Sequence, residues 1–349
     1  MKKIPSIIFM MSLCLSACSK PAEDITNFEK AQAALQTLNT PLINVSKESE
    51  ASLNTVPPLF SDNYLDRRHE IYQRLMQMDL SVEQTEQVNY LVIAERFPER
   101  YFSWPAQVNV LENMLKHETE NQTEQVKLWL SLTLNRLKNA QESNLKLNKI
   151  ELNLLKGYLN NHLNSGQVKP SLAPEINEFS LYLSQYQPRG TVGLSGLANG
   201  SAWYQSKINY YSAVVYSPLQ WVDILNKKIT ALSVKSPPAI ANMSHDVSFV
   251  VRYLAKEKTE QGLDWATNYQ LIPLIAKRKI LSEDEQVLML ALMESDIGIH
   301  YHAWSIAQAR VNLIKHLAIT QQQAQYLVED IILYPGHSFS FAQNILFTH

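Results

Sequence analysis

Metal or nucleophilic chemistry needs histidines, acids or an activated hydroxyl held close together, and this sequence offers few such groupings. The densest is Glu294, Asp296, His300 and His302, with His337 further along. Histidines two residues apart suit an extended turn better than one helix face, where neighbours recur every three or four residues. That spacing favours His300 packed between helices or capping one, with His302 in solvent and no metal bound. Ser195, in Gly193-Leu194-Ser195-Gly196, lacks the Gly-x-Ser-x-Gly spacing of a nucleophile elbow, and no histidine follows in the manner of a triad. Trp203, Tyr204, Tyr210, Tyr211, Tyr216 and Trp221 are densely spaced. Aromatics in such a pattern build a helical core, and they can also line a groove for a peptide or glycan. Both readings stay open.

The elements that must position these residues read as helices. Glycine is scarce, 9 in 349 residues, and Leu, Ala, Gln, Glu, Lys and Asn dominate, a composition that favours helix throughout. Five sites fit a capping box, in which a Ser or Thr caps the first turn and a residue three further on reaches back: Ser81/Gln84, Ser217/Gln220, Ser282/Glu285, Ser305/Gln308 and Thr320/Gln323. Leu145, Ile150, Leu154, Leu155 and Leu159 recur at helical spacing and predict a helix over 142–164. Strand alternation is rare and no fixed-period repeat is present, so the expected fold is all-α, an irregular multi-helix domain with about ten to fourteen helices of ordinary length. Two stretches break the pattern. Pro188 to Ser201 holds four of the nine glycines, and Ser233 to Asp246 contains Pro237-Pro238. Concentrated glycine marks a backbone that must turn or approach something closely.

The N-terminus has its own chemistry. Lys2 and Lys3 precede an uncharged apolar stretch, Ile4 to Leu15, that is short for a membrane span. Leu15-Ser16-Ala17-Cys18 then resembles the lipobox of bacterial lipoproteins, in which small residues admit the cleavage enzyme and the cysteine thiol carries the diacylglycerol. That resemblance implies a signal peptide over 1–17, lipidation of Cys18, a tether over 18–24, and a membrane as the partner reached through the lipid. Ser19, where an aspartate would retain the protein, resembles the signal for sorting to the outer membrane, facing the periplasm. Of the two cysteines, Cys14 leaves with the signal peptide and Cys18 is modified, so no disulfide is expected although the compartment is oxidising. The formal net charge is −2 with no basic block, which argues against a nucleic-acid partner.

Three stretches of the second half resemble the bacterial family called domain of unknown function 885. They are Gly193 to Ile224, with its glycine turn, paired aromatics and capped helix; Asp296 to Ala309, with Asp-x-Gly-x-His followed by Trp304-Ser305; and Tyr334 to Phe341, with an aromatic-Pro-Gly turn. The family is similar to zinc metallopeptidases, and the resemblance implies a helical scaffold in which these stretches converge on a groove. It divides the chain into an N-terminal helical region, 25–187, and a family-like region, 188–349. It also implies a metal site that this sequence does not carry. Histidines at i and i+4 with a glutamate between them would point at one ion, yet the two His-Glu pairs, His69-Glu70 and His117-Glu118, are followed at i+4 by Gln73 and Asn121, neutral amides that ligate zinc poorly. His245 is the single histidine between about residues 228 and 295, and Asp264-Trp265-Ala266 matches the family's glutamate-ligand helix only in poor register. Phe341 stands where a tyrosine is expected, Asp330-Ile331 where an Arg-Tyr pair is expected, and Met289 and Leu292 where arginines are expected. Scaffold residues persist while chemical ones are gone.

The expectation is therefore a membrane-anchored lipoprotein, a non-catalytic relative of metallopeptidase-like proteins acting as a binding or scaffold module in the cell envelope. It needs no cofactor, and its ligand would be a peptide, an envelope component or a protein. The degenerate cleft would be formed by Gly193, Gly196, Trp203, Tyr204, Asp296, His300, Trp304, Tyr334, His337 and Phe341. A divergent hydrolase with an unrecognised site is the alternative.

Overall fold

The computed structural model of the protein describes residues 25–39, 61–82, 84–85, 88–89, 92, 123–164, 169–212, 214–233 and 283–346. The lipobox and tether, His117-Glu118, His245, Asp264 to Ala266 and Ser282 lie outside the described residues.

Within them the chain is all-helical, as its composition predicts. In order the α-helices are α1 (Phe28–Asn39), α2 (Asp62–Leu75), α3 (Thr123–Glu142), α4 (Lys149–Asn164), α5 (Ala173–Gln185), α6 (Gly200–Ser212), α7 (Pro218–Ser233), α8 (Glu283–His300), α9 (Ile306–Leu317), α10 (Gln321–Leu333) and the short α11 (Ala342–Leu346). Single 3-10 turns run over Leu194–Gly196 and His337–Phe341. Helix α1 packs on α2, and α5 packs on both α3 and α4. Helices α7, α9 and α10 surround α8, and α4 touches α10.

Helix α8 is the axis of the second half. From Val287 to His300 every residue but Glu294 is buried, including Met289 and Leu292, the positions where the family resemblance leads one to expect arginine. A helix apolar on all sides has to be surrounded by protein. Each fully buried Leu or Ile there contributes roughly 1.5–3 kcal/mol of apolar transfer. Its buried polar residues are Ser295, Asp296 and His300, and the last two lie one turn apart and so on one face.

Four of the helix starts are local and legible. Ser81, Ser217, Ser305 and Thr320 each accept the backbone N–H of the glutamine three residues on, and each glutamine returns the bond to the cap's own N–H. The helix predicted over 142–164 is instead two elements. Helix α3 ends at Glu142, Leu145 lies in the connection, and α4 begins at Lys149. Asn148 forces the restart: its side-chain oxygen accepts the N–H groups of Ile150 and Glu151, while Glu151 accepts the N–H of Asn148 at 2.6 Å. That is a capping box built on asparagine.

Candidate functional site

The glycine-rich run from Pro188 to Ser201 is held in place by Arg189. Its guanidinium donates to the carbonyl oxygens of Lys146 (2.9 Å), Gly193 (2.8 Å) and Val192 (3.2 Å), and also to that of Thr191. Asn148 adds a donor to Val192 at 3.2 Å. Carbonyls that no helix or strand satisfies are thus met by one planar fork of donors. The run then passes against the end of α8. A Cβ on Gly193 would stand 1.9 Å from the carbonyl oxygen of Ile299, so only glycine permits this approach.

The contact positions the Leu194 turn under His300. The Leu194 N–H donates to His300 Nδ1 at 3.2 Å, and His300 Nε2 meets the carbonyl oxygen of Ile331, in α10, at 2.9 Å. An N–H facing one ring nitrogen and a carbonyl facing the other fix the neutral tautomer with its proton on Nε2. Burial pushes the imidazole down to about 3, and the positive charges of Arg189 and Lys207 push the same way, against the Ile331 bond. Neither nitrogen has a lone pair to offer a metal without giving up one of these bonds. His300 is a brace between three segments.

One turn earlier, Asp296 ties α8 to two others. Its carboxylate accepts the Tyr204 hydroxyl of α6 at 2.6 Å, the Gly336 N–H at 3.0 and 3.1 Å, and the Ser338 hydroxyl at 2.7 Å. It is fully buried. Burial raises its pKa to about 6 in spite of these donors. Burial and the neighbouring carboxylate raise the Tyr204 hydroxyl well above its ordinary value, so it serves as a donor here. Lys207, one turn along α6, is lowered to about 8 by burial, with Asp296 opposing that shift. Its ammonium lies 5.3 Å from the centre of the Trp203 ring.

The remaining members of the expected cleft fall around these two braces. Gly336, which that expected set does not include, takes φ 77°, the left-handed turn that follows α10, and brings its N–H to Asp296. Trp304 covers Gly298 so closely that a Cβ there would be 2.1 Å from its ring. His337 is buried with its ring edge-on to Tyr211 at 5.7 Å and 6.3 Å from Tyr334, which is half-buried. Phe341 is fully buried, and Phe339 beside it packs edge-on against Trp221 at 5.1 Å. Trp203 is half-buried, while Gly196 is exposed beside Thr191. The three stretches converge, and the most polar of their residues meet inside the protein.

The other candidates are dispersed. His302 is exposed, Glu294 pairs with His316 on α9, and Ser195 sits half-buried in the Leu194 turn. His69, Glu70 and Gln73 lie exposed on α2. Among the described residues no three His, Cys, Asp or Glu side chains stand where they could hold a metal ion together. Arg189, Asn148 and Ser338 escape the sequence reading. Asn148 is signalled by the glutamate three residues on, whereas nothing local marks Arg189 or Ser338.

No family model matches the chain, and no curated protein matches it in sequence. A solved structure described as "the putative lipoprotein from Colwellia psychrerythraea" is similar at 11% identity and a TM-score of 0.48, covering 90% of this chain and 88% of that one.

Proposed function

We propose that the protein is a lipid-anchored component of a bacterial cell envelope, acylated at Cys18, whose helical body is a non-catalytic binding or scaffold module. In this reading it is a shortened relative of the domain of unknown function 885 family, sorted to the outer membrane. The observation that supports the non-catalytic part is the use of the polar groups. Where the family resemblance places a catalytic groove, Asp296, His300 and Tyr204 are fully buried and bonded to backbone and side chains of neighbouring segments. Catalysis needs such groups to face a substrate, whereas a scaffold needs them to fix helices. The anchoring part rests on the sequence Leu15-Ser16-Ala17-Cys18. Among the described residues no helix is long and apolar enough to cross a membrane, so acyl chains would supply the attachment. A Cys18→Ser protein should appear in the soluble fraction after a salt wash, and its persistence in membranes would defeat the anchoring claim. Metal content of the purified protein and a peptidase assay on mixed peptides test the rest. Stoichiometric zinc with peptide cleavage would return the protein to the hydrolases.

A further inference from the structure

Lys207 stands at the rim of the hub, half-buried on α6. Trp203 lies one turn before it and Tyr211 one turn after it, on the same helix face. Its ammonium is 5.3 Å from the centre of the Trp203 ring. The turn at Gly336 lies against the stem: a Cβ on Gly336 would be 3.1 Å from Lys207 Cβ and 3.5 Å from the Tyr211 ring. Tyr211 is buried, with His337 edge-on to it at 5.7 Å, and Tyr334 is 6.3 Å from His337. The positive charge of Lys207 acts on His300, and the negative charge that acts on Lys207 is that of Asp296.

Two effects oppose each other at this amine. Trp203 and Asp296 favour the ammonium, the ring through its negative face and the carboxylate through its charge. That carboxylate, however, already accepts from Tyr204, Gly336 and Ser338. Burial among the rings strips water from the ammonium and favours the neutral amine. Burial wins, and the amine is lowered to about 8.

We propose that Lys207, with its stem fixed by the Gly336 turn and its head over Trp203 at the edge of the hub, is a nucleophilic lysine that small activated acyl donors modify. The amine nitrogen attacks the acyl carbon, and the new N–C bond forms as the bond to the leaving group breaks. The leaving group, a carboxylate or phosphate, departs with the electron pair, and the nitrogen gives its extra proton to water. A buried, stripped amine needs no separate base for this step, because much of it is already neutral near neutral pH. The product is an uncharged amide.

The test is trace labelling of the full chain with acetic anhydride from pH 6 to pH 10, with the acetylation of each lysine read by peptide mass spectrometry. At pH 7.5 Lys207 should acetylate about tenfold faster than the exposed Lys149 and Lys227, since far more of it is neutral although each neutral amine is less basic. Its rate should level off above about pH 9, while theirs goes on rising. In urea the advantage should vanish, because it belongs to the folded surroundings. A Lys207 that labels no faster than Lys149 and Lys227 overturns the proposal. So does a rate that keeps rising with pH as theirs does, or an advantage that survives unfolding.

Discussion

Replacing Asp296 with asparagine should expose a cancellation between the two buried braces. His300 is lowered to about 3. The unfolded chain takes up a proton on this residue below its ordinary value near 6.5, while the native state refuses it, so its contribution is full above that value and is lost as pH falls. Asp296 behaves oppositely. Its folded pKa is about 6 against an ordinary 3.8, so the native state keeps a proton that the unfolded chain has released. Its contribution is full below the ordinary value and is lost as pH rises to the folded one. Between about pH 4 and 6 each group changes stability by about 1.4 kcal/mol per pH unit, with opposite sign, and the sum is nearly flat. Asparagine retains an acceptor for Tyr204 but cannot titrate. The stability difference between parent and Asp296→Asn should therefore shrink by about 2–3 kcal/mol from pH 4 to pH 7, on top of a constant cost for the weaker acceptor. Urea unfolding followed by far-ultraviolet circular dichroism at half-unit steps measures it. Other carboxylates titrate alike in both proteins and drop out of the difference. Parallel stability curves would refute the reasoning, because they would mean that Asp296 binds its proton equally well in the folded and unfolded chain.

Further outcomes can be checked on the same preparation. His300→Ala strands the Leu194 N–H and the Ile331 carbonyl in the interior and should lower stability by about 2–4 kcal/mol; zinc should leave the melting temperature of the parent unchanged, because a ligand stabilises only a state that binds it. Gly298→Ala drives a methyl into the Trp304 ring and should cost about 1–3 kcal/mol with an altered tryptophan emission. Ala318→Gly should raise stability by about 0.5–1 kcal/mol in thermal unfolding, since Ala318 caps α9 at φ 50°, in the left-handed region where a Cβ is penalised.

Legibility followed the range of the interaction. Capping boxes such as Ser305/Gln308 and Thr320/Gln323 span three residues, so types and spacing suffice to find them. The break before α4 was equally local but was marked by asparagine, and Leu145, Ile150, Leu154, Leu155 and Leu159 suggested one continuous helix across it. Asp296, His300 and Tyr204 entered one expected set only through the family resemblance, and that set did not include Gly336. Their bonding was not legible, because several partners are backbone groups, the Leu194 and Gly336 N–H and the Ile331 carbonyl, and backbone groups leave no mark on composition. Arg189 illustrates the same limit. Its role lies in the shape of the loop it holds, and a lone arginine after a proline says nothing of that shape.

The same two braces bear on how quickly the molecule can form. Leu194 and His300 are 106 residues apart, and Tyr204 and Asp296 are 92. Closing loops of that length costs chain entropy before any contact is made, whereas neighbouring pairs such as α9 and α10 meet across a short turn. The hairpins should therefore assemble early, and the joining of α6 to α8 should come after the rate-limiting barrier. Substitutions at Asp296 or His300 would then appear chiefly as faster unfolding with little change in the refolding rate, so these residues set the lifetime of the native protein more than the speed of its formation.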